Sequence, residues 1–369
     1  MTNIEEHSYG IFCVTRRHDP WGRLKRGMMQ MNGNAAFDKR FHWVDVLKFL
    51  GIFAVYLSHY GEEAGRLYPF VYTYHVPLFF FVSGFFAGIK KGETFVSFVA
   101  KKFKTLMAPY FVFVALSVVM HAVQYDLAVE PLLYEMKRYA FAVRNTLLHS
   151  SLWFFSCLFI VSVLYRLILM ITKRKWIVLA ISMVTACFFQ MNRPAWFWNM
   201  DSALIYLVYY ALGNICFSDI RTFRYAYFRF KGRVVYILLV VLSFLIAAKT
   251  YFFGSLYLIL KVLDIHLPAQ AEAFFTVLNT SILLFANVQL AFFLERIRLF
   301  RNIGKETLLM CGMEFITKNL LQGIFAMLDI KIRLDTPLIT VLYTILCIAV
   351  SYRIFVPLLH KYPGRFLGM

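Results

Sequence analysis

Runs of roughly 17–23 almost uninterrupted apolar residues recur along the chain, each long enough to cross a hydrocarbon core of about 30 Å as a helix. They fall at 44–60, 69–89, 106–124, 152–171, 176–191, 202–218, 234–250, 272–294, 307–328 and 337–358. Backbone in lipid must satisfy its own hydrogen bonds, which leaves segments of this length no alternative to a helix. Of the 369 residues 60% are hydrophobic and 16% charged, too few charges to clothe a soluble chain of this size. The expected fold class is therefore all-α integral membrane, with about ten transmembrane helices. The segment 251–265 is the exception. Short, and carrying Lys261 and Asp264, it reads as an interfacial or re-entrant helix or, if it spans, as an eleventh crossing.

Alternate loops differ in Lys and Arg, as the positive-inside rule requires. With the N-terminus inside, the inner segments hold 26 such residues and the outer loops 8. An odd number of spans would break this alternation, so both termini are expected in the cytoplasm. The net charge of +19 is spread through these short loops, which argues against a nucleic-acid partner. Residues 1–40 lack the apolar stretch of a cleavable signal and read as a basic cytoplasmic tail. One transmembrane domain follows over 41–360, with a short cytoplasmic tail at 361–369. The outer loop 125–151 is amphipathic enough to lie on the membrane surface. Six cysteines, with no CxxC pair, read as reduced core thiols and not as a metal site.

Ionisable groups inside spans are costly, so each invites a functional question. In the first helix Lys48 and His59 are eleven residues apart, three turns plus about 20°, so both point to one side. The rise of about 16 Å puts Lys48 near the inner face and His59 toward the outer one. Asp45, one turn below, is close enough to pair with Lys48. An inner cation can hold donor phosphates, and an imidazole can take a proton from an attacking hydroxyl at neutral pH. A snorkelling lysine and an interfacial histidine fit the same spacing. His75 opens the second helix at the depth of His59; Ser83 and Gly84 are small enough for close helix approach. Glu314 and Lys318, four residues apart, suit an ion pair. Arg166 and Arg353 also fall inside spans, and Trp196 and Trp198 suit an interfacial belt.

Taken together these residues resemble the membrane-bound acyltransferase-3 family, which includes O-acetyltransferases of bacterial surface polysaccharides. The opening Arg, Asp, basic residue and His of that family correspond to Arg40, Asp45, Lys48 and His59. Its His-x-Pro-Leu-Phe-Phe stretch ending Ser-Gly is matched from Tyr74 and His75 to Ser83 and Gly84, and its basic loop leading to Pro-Tyr from Lys101 to Tyr110. Leu152-Trp153-Phe154 and the turn Gly304 to Leu308 match two further motifs. Lysines stand where the family favours Arg, and Glu314 where relatives often have His.

The resemblance implies transfer of an acyl group, usually acetyl from a coenzyme A thioester, to a hydroxyl of an envelope glycan or lipid-linked saccharide. No permanently bound cofactor or metal is implied, and the setting is the bacterial inner membrane. His59 would be the catalytic histidine, supported by Lys48 and Asp45. Arg40, Lys48, Lys101, Lys102 and Lys104 would contact the donor. His75, Ser83, Trp153 and Glu314 would line the substrate cavity. The competing class is a transporter or flippase for a glycan or lipid precursor, which would show two related halves; none is visible in the sequence.

Overall fold

The structure, a computed structural model, describes residues 40–361 apart from 90, 126–128, 144–146, 148, 192, 227–229, 256–267, 331–333 and 335. The expected tails at 1–39 and 362–369 and most of 251–265 lie outside the described residues. Chain up to Phe41 forms a unit of its own, and the helical body comprises the rest. All regular structure among the described residues is helical.

Helix α1 (His42–Ser58) is the hub. Thirteen of its 17 residues are buried, because it packs against helices from both halves of the chain. Its neighbours are α2 (Leu67–Tyr72), α3 (His75–Gly84), α11 (Ala269–Leu294), α12 (Arg298–Lys305), α13 (Thr307–Met327) and α14 (Pro337–Val350). Aromatic rings fasten its lower half. Trp43 meets Phe85 and Phe292, and Phe49 stacks on Phe300 at 4.2 Å. At Gly304 a Cβ would come within 1.7 Å of the Asp45 carbonyl oxygen, so α12 lies directly against the α1 backbone.

The remaining wall comprises α4 (Phe95–Lys102), a π-helical turn over Phe103–Met107, α5 (Ala108–Tyr125), α6 (Val129–Phe141), α7 (Trp153–Thr172), α8 (Lys175–Met191) and α9 (Met200–Ala226). Helix α10 (Phe230–Phe253) is peripheral: only 11% of its apolar window is buried, as expected of a helix facing lipid. A second π turn over Ser351–Phe355 leads into α15 (Val356–Lys361).

Among the described residues six stretches are long and apolar enough to cross a membrane: Phe95–Val123, Trp153–Thr172, Phe197–Ile220, Val234–Phe253, Ala269–Leu294 and Pro337–Lys361. The other four expected segments are helical but differ in detail. Segments 44–60 and 176–191 coincide with the 17-residue helices α1 and α8, and 307–328 with α13, which carries Glu314 and Lys318. Segment 69–89 is not one helix. It breaks at Thr73 and Tyr74 because Pro77 has no N–H to return to the Thr73 carbonyl. That carbonyl instead accepts from Thr280 Oγ1 at 3.0 Å, which seats the break against α11.

Candidate active site

On α1 and the turn after it, Lys48, Val55 and His59 fall on one helical face and line one cavity of about 550 Å³. That volume lies within the range of small-molecule sites. The same cavity is lined by His75 and Ser83 from α3, Lys102 from α4, Trp153 at the start of α7, and Thr307 and Leu308 from the turn opening α13. Lys48 and His59 thus lie on one side of α1 and share a cavity with residues from α3, α4, α7 and α13.

His59 is held from behind. Its Nδ1 is 2.8 Å from Glu314 Oε2, and the Ser151 hydroxyl donates to the same oxygen at 2.8 Å. The second carboxylate oxygen, Oε1, is 2.5 Å from Lys318 Nζ. Lys318 also donates to the Tyr56 carbonyl at 2.9 Å, satisfying an orphan carbonyl in the last turn of α1, and sits 4.0 Å from the centroid of the Tyr60 ring. An imidazole whose Nδ1–H donates to a carboxylate has its tautomer set and keeps Nε2 as a base. Among the described residues His59 Nε2 has no hydrogen-bond partner, and 23% of the His59 side chain is exposed.

His75 is oriented differently. Its Nδ1 lies 2.9 Å from the Val71 carbonyl, which makes that nitrogen the protonated one, and Nε2 is 3.4 Å from Ser58 Oγ. At the other end of the cavity Lys102 Nζ lies 5.9 Å from the centroid of the Phe98 ring; the Arg166 guanidinium lies 5.1 Å from the same centroid and pairs with Glu93 at 3.3 Å. Arg166 is therefore a buried, paired cation.

Not every expected site residue reaches the cavity. Lys101 and Lys104 are exposed, because the π turn and the 100° helical step direct only Lys102 inward. Asp45 is buried beside Gly304 and does not line the cavity. Arg40 precedes the helical body. Glu314 lines not this cavity but a recess that adjoins it at His59, and it joins Lys318 and His59 in a single network. Arg353 is exposed.

Ser151 and His149 carry no sequence signal that singles them out, since both sit in a loop before α7. Buried His149 is 2.8 Å from Ser117 Oγ through Nδ1 and stacks on Phe315 with centroids 5.1 Å apart. Desolvation there pushes its pKa down to about 3, against the attraction of Glu314.

A second recess, of about 580 Å³, opens at the His59 end. His59 and Tyr72 line both it and the main cavity, so the two adjoin at the histidine.

No curated protein and no solved structure matches this chain. A family model described as an acyltransferase domain matches residues 41–356, which include α1, the paired α2 and α3, the cavity wall and the His59–Glu314 network. This multi-pass membrane protein belongs to the acyltransferase-3 family.

Proposed function

We propose that the protein is an O-acyltransferase of the bacterial inner membrane that moves an acetyl group from cytoplasmic acetyl-CoA to a hydroxyl of an envelope polysaccharide or lipid-linked saccharide. Ten spans with both termini cytoplasmic complete the reading. One observation carries it: His59, with Glu314 behind its Nδ1, and the cations Lys48 and Lys102 line the same cavity.

In this reading the donor enters from the lysine end, where ammonium groups attract its phosphates. The thioester carbonyl stops near His59. The acceptor hydroxyl attacks the carbonyl carbon, forming a C–O bond, while its proton passes to His59 Nε2. Glu314 steadies the imidazolium that results. Collapse of the tetrahedral intermediate breaks the C–S bond, and the proton on His59 goes to the departing thiolate, leaving free coenzyme A and an ester. His75, Ser83 and Trp153 border the path of the acyl group.

The test supplies labelled acetyl-CoA to membranes containing wild type or His59→Ala and counts label in saccharide. Loss of labelling in the variant is expected. Undiminished labelling removes the mechanism.

A further inference from the structure

Helix α7 runs between the two ends of the main cavity. The turn that opens it carries Ser151, in contact with the His59–Glu314 pair. Arg166 lies about 20 Å along the helix axis from Trp153, toward the lysine end. There the buried guanidinium is bonded through Nη2 alone, to the Glu93 carbonyl at 3.4 Å and the Glu93 carboxylate at 3.3 Å. Its Nε and Nη1 are buried and, among the described residues, have no hydrogen-bond partner. Unmatched N–H groups on a buried guanidinium are costly, and contacts this long use little of a fork shaped to grip two anionic oxygens at once.

Glu93 links this cation to the cavity. Arg166 and Lys102 approach the same Phe98 ring, at 5.1 and 5.9 Å from its centroid, and Glu93 is within electrostatic reach of Lys102 as well. Lys102 lines the cavity. Burial fixes the Arg166 side chain, whereas that of Glu93 is 15% exposed and follows Gly92, whose φ is +79° with open space around it. The carboxylate is therefore the member of the pair free to turn out to solvent. Its replacement must be an anion that offers oxygens to a guanidinium and to an ammonium group together, which a phosphate does.

Resting on the acyltransferase reading above, we propose that Arg166 is a phosphate-binding residue of the donor site and that Glu93 occupies it until coenzyme A arrives. A phosphate of the donor displaces the Glu93 carboxylate, pairs with the open N–H groups of Arg166 and stays within reach of Lys102. The carboxylate competes with the ligand, so it weakens the apparent affinity by the fraction of molecules in which it covers Arg166. A purely structural ion pair behaves otherwise, since losing either partner harms the protein in the same direction.

The experiment measures coenzyme A binding to the full-length protein in detergent by calorimetry. In membranes it compares kcat/KM for acetyl-CoA with that for S-acetylpantetheine, a thioester donor without phosphates. Arg166→Gln should raise the coenzyme A Kd roughly tenfold or more and lower the preference for acetyl-CoA over S-acetylpantetheine by a similar factor. Glu93→Gln should act in the opposite sense, lowering the Kd and raising that preference roughly three- to tenfold. Arg166→Lys keeps the charge without the fork; its Kd should fall between those of wild type and Arg166→Gln, which controls for folding. Coenzyme A binding that Glu93→Gln weakens or leaves unchanged overturns the proposal, as does a donor preference that Arg166→Gln leaves at the wild-type value. Wild type that binds coenzyme A with these shifts but transfers acetyl from neither donor overturns the acyltransferase reading and leaves the phosphate site standing. Wild type that does not bind coenzyme A overturns both.

Discussion

At the residue scale the central object is one carboxylate serving an ammonium group and an imidazole. Glu314 places Oε1 against Lys318 and Oε2 against His59. Replacing it by Gln keeps the shape but removes the charge that favours an imidazolium. Glu314→Gln is therefore expected to lower kcat by roughly 10²–10⁴ with a much smaller change in donor KM, measured as labelled-acetyl transfer. Lys48→Ala is expected to raise the acetyl-CoA KM, and Lys48→Arg to retain most activity because the charge stays in place. His149 supports a separate prediction about stability. Its folded pKa of about 3 lies below the ordinary imidazole value. The unfolded chain therefore binds more protons below about pH 6.5, and stability is lost as pH falls through that window. Thermal unfolding of wild type in detergent should shift down between pH 7 and pH 5. His149→Gln should flatten that dependence, whereas an equal slope in the variant would show that the titrating group lies elsewhere.

At the element scale the site depends on how closely its helices approach one another. Gly304 and Gly84 each face a backbone carbonyl: a Cβ on Gly304 would come within 1.7 Å of the Asp45 oxygen, and one on Gly84 within 2.1 Å of the Tyr210 oxygen. Backbone cannot rotate aside as a side chain does. Gly304→Ala should push α12 off α1 and destabilise the protein by about 1–3 kcal/mol, read as a lower Tm. A wild-type Tm would show that the contact has room to relax. Helix existence was legible from apolar runs, because every run but 69–89 matches one helix or a helix continued through a π turn. The break between α2 and α3 was less so. Pro77 is visible in the sequence, but the partner that stabilises the freed Thr73 carbonyl is Thr280, some 207 residues on. A one-dimensional reading places a proline in a first turn and does not identify the distant hydroxyl that makes the break permanent.

At the scale of the whole molecule the two ends of the cavity differ in chemistry, lysines at one and the His59–Glu314–Lys318 network with its polar recess at the other. If the Lys end is cytoplasmic, Glu62→Cys in intact cells should react with a membrane-impermeant maleimide, whereas Lys101→Cys should react only after the membrane is opened; both positions are exposed. The reverse pattern would invert the topology. The sequence by itself determined the helical class, the alternation of loop charge, and the face shared by Lys48 and His59. These follow from hydrophobic length, loop charge and the 100° helical step, all local to one segment. The tertiary structure alone decided that Glu314 and Ser151 stand behind His59, that Lys102 enters the cavity while Lys101 and Lys104 do not, and that a second recess adjoins the first at the histidine. Those facts depend on which faces of helices some 90 to 260 residues apart are pressed together. Packing sets that, and no periodicity within a single segment encodes it.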